Sequence, residues 1–461
     1  MRSIEHAAEV INPSVLKPKS VIYTAGNAAT PQTLLQQLAE DLSIQQVALY
    51  SILPLGERIS GLFSQERCKG LTHRVLFNSH LSRAAVNKGW AKYHPMHLSE
   101  IPKYALQSEG PDVVLLSVAG PDNGGNFSLG PAVEAIPAAI EATKSKGGLV
   151  IAERNRKMPF VIGSTIPTES IDYLIDSDYP LPVSPVREAD EKALKIGEII
   201  ASLYIKDGSG RQPGSTLQYG IGEVPDAVTS AILQRGIRDL SVHTELFASG
   251  MRRLLEHGAV SNRWKQRERY SVSTFYLAEN QAGYDWLDFN SSVQLKPCEY
   301  TNSVFTIAQN PNMVAINSAI GVDLHSNIWA DSLDARKIYS GVGGQSDFIR
   351  GAQYSPGGIA IIALKSETNS GKPKILDRCP AGITTTAIPA DNVILVTEHG
   401  AFDPRNLSLT EHAVGIAHLA APEQREKLLK TIYDDPFFHN PERSEKRHAR
   451  GFVPYEDALA G

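Results

Sequence analysis

One stretch constrains the fold more than any other. Asp112-Val-Val-Leu-Leu-Ser-Val118 is a near-continuous apolar run, the pattern of a strand buried on both faces. It leads into Gly120-Pro-Asp-Asn-Gly-Gly125, a loop by its glycines and proline. A helix is predicted over 131–144, with Val133, Ile136 and Ile140 on one stripe, and Gly147-Gly148 ends it. Leu149-Val-Ile-Ala152 then resumes as a strand. Strands joined through a helix lie parallel, and a parallel sheet needs helices over its faces. The chain is thereby committed to α/β architecture.

The alternation recurs beyond Asp178-Tyr-Pro-Leu-Pro-Val-Ser-Pro185, whose three prolines make it the best linker in the sequence. Ser215 to Tyr219 reads as a strand, Gly220-Ile-Gly222 as a turn, and Pro225 as the opening of a helix through Ala231 and Ile232. Leu240 to His243 is a further strand. The helix predicted after it places Phe247, Met251, Leu254 and Leu255 at i, i+4, i+7 and i+8. Ile359 to Leu364 is another strand, and the tail 440–461 is charged, with no element assigned. Because 461 residues exceed one compact core, the reading is two tandem α/β domains, residues 1–185 and 186–461. Each carries a largely parallel sheet flanked by helices.

Composition excludes several classes. Hydrophobic residues at 42% and charged residues at 21% leave no disorder signature, and a net charge of −5 favours neither nucleic acid nor an anionic membrane as a partner. Cys68, Cys298 and Cys379 form no C-x-x-C pair, so no metal site is expected, and a sparse, odd set fits a reducing compartment. The first 17 residues do not read as a signal peptide, and no run approaches the roughly 18 apolar residues of a membrane span. A cytoplasmic globule is expected, with a homodimer as the default assembly of a soluble enzyme.

Three segments offer chemistry. In Ser241-Val-His-Thr-Glu-Leu-Phe247, Glu245 is expected within the first turn of a helix, where unpaired amides and the macrodipole favour an ionised, nucleophilic carboxylate. The same dipole stabilises acids in first turns that do nothing else. The Gly220-Ile-Gly222 turn exposes backbone N–H groups suited to a phosphate or an oxyanion, or simply supplies unusual backbone angles. It lacks the third glycine of a dinucleotide fingerprint, because Pro225 stands there, which disfavours a nicotinamide oxidoreductase. Tyr339-Ser-Gly-Val-Gly-Gly-Gln-Ser-Asp-Phe348 permits close approach of backbone to a ligand such as a pantetheine arm, or is simply a flexible surface loop.

Together these residues resemble the acetyl-CoA hydrolase/transferase family, in its 4-hydroxybutyrate and butyrate–acetate CoA-transferase branch. The resemblance runs through Tyr93-His-Pro-Met-His-Leu-Ser-Glu-Ile-Pro102, Gly120 to Gly130, Gly220 to Val228, His243-Thr-Glu-Leu-Phe247, Asn310 to Ile320 and Ser340 to Ala352, in order and with matching gaps. It implies CoA-transferase-type domains, with acyl-CoA and a short-chain carboxylic acid as substrates and no tightly bound cofactor. It implies Glu245 as the nucleophile, Ile221 and Gly344 as oxyanion-hole donors, and Asn310, Gly343, Gly344 and Gln345 as CoA contacts. Two backbone donors aimed at a tetrahedral oxygen are each worth roughly 10²–10³ in rate. The alternatives are an acyl-CoA hydrolase, in which water resolves the enzyme-bound thioester, and a CoA-binding protein without turnover. Two departures stand out. Relatives often carry Glu where this chain has Gly321, which bears on acyl specificity, and an apolar residue where it has Arg154.

Overall fold

The computed structural model describes residues 1–106, 110–438 and 449–460. Eight strands form the first sheet: Arg2–Ile4 (β1), Val21–Thr24 (β2), Val47–Ile52 (β3), Leu71–Phe77 (β4), Lys92–Tyr93 (β5), Val113–Val118 (β6), Leu149–Asn155 (β7) and Tyr173–Ser177 (β8). Their order is β1-β8-β7-β6-β2-β3-β4-β5, and every neighbouring pair is parallel. All six residues of β6 are buried, as its unbroken apolar run requires.

Helix α1 (Gln32–Glu40) buries Leu34, Leu35 and Leu38 against this sheet. Its first amides are satisfied from within the sheet, Thr33 and Leu34 donating to the Glu153 carboxylate at 2.9 and 3.1 Å. Strand alternation accounts for the unusual Arg154. Glu153 and Asn155 point inward, while Arg154 points outward and bonds Asp176 at 2.7 Å. Helix α2 (Ile136–Ser145) begins five residues after the predicted start, because 131–135 are drawn off as a connection that pairs Ala132 with Phe275. It ends as expected, at Gly147 with φ +71°.

The chain between Ser177 and Glu191 has no helix or strand, and we propose that the domains divide there, near residue 185. Helix α3 (Glu191–Leu203) follows, capped by Asp190. The second sheet comprises Thr216–Tyr219 (β9), Ser241–Val242 (β10), Met313–Asn317 (β13), Ile359–Ala363 (β14), Ile394–Thr397 (β15), Gly400–Phe402 (β16) and Phe452–Pro454 (β17). Their order is β10-β9-β13-β14-β15-β16-β17, parallel as far as β15 and antiparallel beyond it. A separate parallel pair, Leu246–Ala248 (β11) and Phe275–Leu277 (β12), lies beside it. Helix α4 (Glu223–Gln234) starts at the Gly222 cap, two residues ahead of Pro225. Of the charged tail 440–461, residues 452–454 close the second sheet and Tyr455–Leu459 turns helical, whereas 440–448 and 461 lie outside the described residues.

One apolar cluster runs from Tyr23, Val114 and Leu116 through Phe127 and Phe275 to Phe247, Val314 and Ile361. The two sheets therefore share a buried seam as well as a linker, and burial of this kind stabilises by about 25 cal/mol per Å². No described helix is long and apolar enough to cross a membrane.

Candidate active site

Glu245 sits in a bend between β10 and β11, and the next helix, α5 (Ser249–Glu256), begins four residues later. The predicted helix from Phe247 is thus corrected, since Phe247 lies in β11. Tertiary pairing is the reason. The Glu245 carbonyl accepts the amides of Thr274 and Phe275 at 3.1 and 3.0 Å and the Ser273 hydroxyl at 2.8 Å, and Thr244 N donates to Val272 at 3.0 Å. A backbone so engaged from outside stays extended. The helix-dipole argument for an ionised Glu245 falls with the helix.

Two other donors replace it. Asn302 Nδ2 donates to Glu245 Oε2 at 2.8 Å, and the backbone N–H of Gly344 is hydrogen bonded to the same carboxylate. Burial pushes the Glu245 carboxyl above the ordinary carboxylate range, and these two bonds pull it part of the way back. Asn302 follows the short helix Cys298–Thr301 and is fully buried. His243 ties that helix to the Glu245 strand: its Nε2–H donates to the Thr301 carbonyl at 2.8 Å, and burial holds the ring neutral, with a pKa lowered to about 3. In His243-Thr-Glu245 the histidine is therefore a strut that keeps Asn302 in register with the carboxylate.

Asn302→Ala leaves the carboxylate with one donor fewer. A hydrogen bond to a charged group contributes about 1.5–3 kcal/mol, so we expect kcat/KM at neutral pH to fall about 10–100-fold. Because the ionised form is the nucleophile and its pKa rises further, the acidic limb of the kcat/KM profile should move to higher pH. A limb at the wild-type position would show that Asn302 does not stabilise the charge.

The glycine-rich loop reaches Glu245 from the far side. Phe77, at the end of β4, packs against it so closely that a Cβ at Gly341 or Gly343 would meet the ring at 2.8 and 3.0 Å. Gly343 has φ +57°, and its carbonyl accepts Leu98 N at 3.1 Å. Gly344 caps helix α7 (Gln345–Tyr354). A cavity of about 280 Å³ results, lined by Glu245, Ile221, Gly343, Gly344, Gln345 and Phe77 among others, with Glu245 its single carboxylate among the described residues. A larger hollow of about 610 Å³ shares Ile221, Val224, Pro225 and Ser318 with it. Arg187, Lys365 and Lys374 stand on the wall of that hollow. Lys365 bonds Asp190 at 2.7 Å and also Glu223, while burial and the neighbouring Lys365 lower the pKa of Lys374.

The fold thus gathers Ile221, Glu245, Gly343, Gly344 and Gln345 around one space, but it does not bring Asn310 there. The Asn310 amide donates to the carbonyls of Thr306 and Ile307, at 3.0 and 3.2 Å, closing the end of helix α6 (Val304–Ala308). Sequence reasoning passed over Asn302, Phe77, and the Gln218–Asn317 amide pair, bonded at 3.2 and 3.3 Å on the cavity wall. Only the polar run Thr301-Asn-Ser303 marks Asn302, and it reads equally well as a helix start. The Gly321 departure has a steric basis, because the short strand Gly321–Asp323 pairs with Ile328–Trp329 and the Trp329 indole lies where any side chain at 321 would project.

The profile of the acetyl-CoA hydrolase/transferase N-terminal domain matches residues 2–185, and that of the C-terminal domain matches residues 280–432. With the relatives below, these matches show that the chain belongs to the acetyl-CoA hydrolase/transferase family. It is 33% identical to the succinyl-CoA:acetate/propanoyl-CoA:succinate CoA transferase of Fasciola hepatica, covering 91% of this chain and 86% of that one. It is 37% identical to the 4-hydroxybutyrate coenzyme A transferase of Clostridium kluyveri, over 77% and 81% of the two chains. Among solved structures, RipA from Yersinia pestis superposes with a TM-score of 0.83 at 29% identity, covering 93% of this chain and 96% of that one.

Proposed function

We propose that this enzyme is a CoA-transferase that moves CoA between a short-chain acyl-CoA and a free carboxylic acid, by ping-pong chemistry through a thioester on Glu245. The observation that carries the reading is the lone carboxylate of Glu245, held by Asn302 and Gly344 at the wall of a cavity built from both domains. Glu245 attacks the acyl carbonyl, the C–S bond breaks, and an acyl–glutamyl anhydride and CoA thiolate result. The thiolate then attacks the glutamyl carbonyl, the C–O bond breaks, and the first acid leaves as its carboxylate. An incoming acid reverses both steps. Backbone N–H groups at Ile221 and Gly344 serve as oxyanion donors in this scheme, and Gly343 and Gln345 border the thioester. Coenzyme A is then a substrate rather than a resident group.

The adjoining hollow is the candidate place for the phosphates of CoA, through Arg187 and Lys374; Lys365 on the same wall is already paired with Asp190 and Glu223, and Asp226 and Glu367 also line it. Lys374→Ala should raise KM for acyl-CoA about fivefold, the ~1 kcal/mol of a partly exposed charge pair, with kcat nearly unchanged. An unchanged KM would move the nucleotide elsewhere. The overall reading is tested by mixing labelled acetate with an unlabelled acyl-CoA and following the label into the CoA pool. Transfer gives labelled acetyl-CoA in proportion to turnover. Release of free thiol without label in the pool would make the protein a hydrolase, and neither product would leave only CoA binding.

A further inference from the structure

The backbone that carries Gly344 to Glu245 is held from the first domain as well as from its own. Asn87 exchanges hydrogen bonds with the carbonyl and amide of Ile338 at 3.3 and 2.9 Å, and Arg83 Nε donates to the Tyr339 carbonyl at 2.7 Å. Asn78 N donates to the Ser340 carbonyl at 3.3 Å, and Leu98 N to that of Gly343 at 3.1 Å. The next contact along is made by side chains. Ser99 Oγ donates to Asp347 Oδ1 at 2.9 Å, and Ser99 N to Oδ2 at 3.3 Å. Asp347 lies in the first turn of α7 and is only 6% exposed. Both of its oxygens accept, which suits an ionised carboxylate, and bonds to a charged acceptor are the stronger kind.

We propose that Ser99 and Asp347 are positioning residues for Glu245: their clasp ties the first turn of α7 to the first domain and keeps the Gly344 N–H trained on the carboxylate. This rests on Glu245 as the nucleophile. Neither residue lines the cavity, so any effect on the reaction passes through the loop. The path is short. The Gly343 carbonyl and the Gly344 N–H belong to one planar peptide group, with the oxygen facing Leu98 N and the hydrogen facing Glu245. Leu98 fixes one end of that group, and Ser99, the next residue, fixes the helix turn that follows it. Without the clasp the peptide keeps a single tether to the first domain and can pivot about it. The loop has little slack to absorb such a pivot, because a Cβ on Gly344 would already overlap Glu245 Oε2 and Asn302 Nδ2. An error of about an ångström at a reacting group costs about 10²-fold, so a partial pivot is enough to slow the reaction.

The test uses the whole protein with a short-chain acyl-CoA and no acceptor, following the CoA adduct by intact mass in a single turnover. Ser99→Ala and Asp347→Ala should each slow loading about 10-fold or more and lower kcat for transfer equally, while KM for acyl-CoA changes by no more than about twofold. The double variant should be no slower than the worse single one, because either change already opens the clasp. Asp347→Asn should recover most of the loss seen in Asp347→Ala, since its amide can accept from Ser99 N and donate to Ser99 Oγ. Loading at the wild-type rate in Ser99→Ala, multiplying losses in the double variant, or no recovery in Asp347→Asn would overturn the assignment. No adduct in the wild type would instead overturn Glu245 as the nucleophile, and this inference with it.

Discussion

Glu245→Ala is expected to abolish both CoA transfer and covalent loading, with kcat reduced by at least about 10⁴-fold, the scale seen when a covalent nucleophile is removed. The measurement is intact mass after incubation with a short-chain acyl-CoA, followed by a peptide map. The wild type should gain the mass of CoA less one water on the peptide containing Glu245, and the variant should gain nothing. The protein should stay folded, because the Glu245 backbone carbonyl, with its bonds to Ser273, Thr274 and Phe275, is untouched by the substitution. An adduct on another peptide would displace the nucleophile. Transfer that persists in the variant without an adduct would replace ping-pong chemistry with direct exchange.

Gly344→Ala is the second large effect. The backbone at Gly344 has φ −101°, so alanine meets no conformational penalty. The obstacle is its Cβ, which would fall inside the contact radii of Glu245 Oε2 and Asn302 Nδ2. One or both must move by about an ångström, and a misplacement of that size at a reacting group costs about 10²-fold or more. We expect transfer to drop about 10²–10³-fold while the far-UV circular dichroism spectrum and thermal midpoint stay close to wild type. Near-normal activity would mean that the loop does not press on the carboxylate in the working enzyme. Gly343→Ala makes a useful companion, since its positive φ and the Phe77 ring oppose it for backbone and packing reasons instead.

Much of the second domain was readable in order, and the exception is instructive. The strand at 215–219, the Gly220-Ile-Gly222 turn and the helix through Ile232 all form, because each depends on local pattern and local backbone preference. The segment after His243 has an equally good helical stripe, yet Leu246 to Ala248 are extended. There the amides of Thr274 and Phe275, some 30 residues away, compete with helical hydrogen bonds and win. What favours the Glu245 carboxylate changes accordingly, from a helix dipole to two specific donors, which act against burial that favours the neutral acid.

By itself the sequence determined the α/β class, the strands around 113–118, 149–152, 216–219 and 359–363, the Gly-x-Gly and Gly-Val-Gly-Gly turns, and Glu245 as the residue to watch. These follow from periodicity, turn chemistry and short motifs, which act over a few residues. Only the tertiary structure decided that Asn302 holds the carboxylate, that Phe77 and Ser99 of the first domain brace the loop of the second, and that Asn310 caps a helix away from the cavity. The bond from Asn302 to Glu245 spans 57 positions and that from Ser99 to Asp347 spans 248, and no local pattern encodes either. They arise because the two sheets bury a common apolar seam, which costs each domain its freedom to move and sets the loops of one against the side chains of the other.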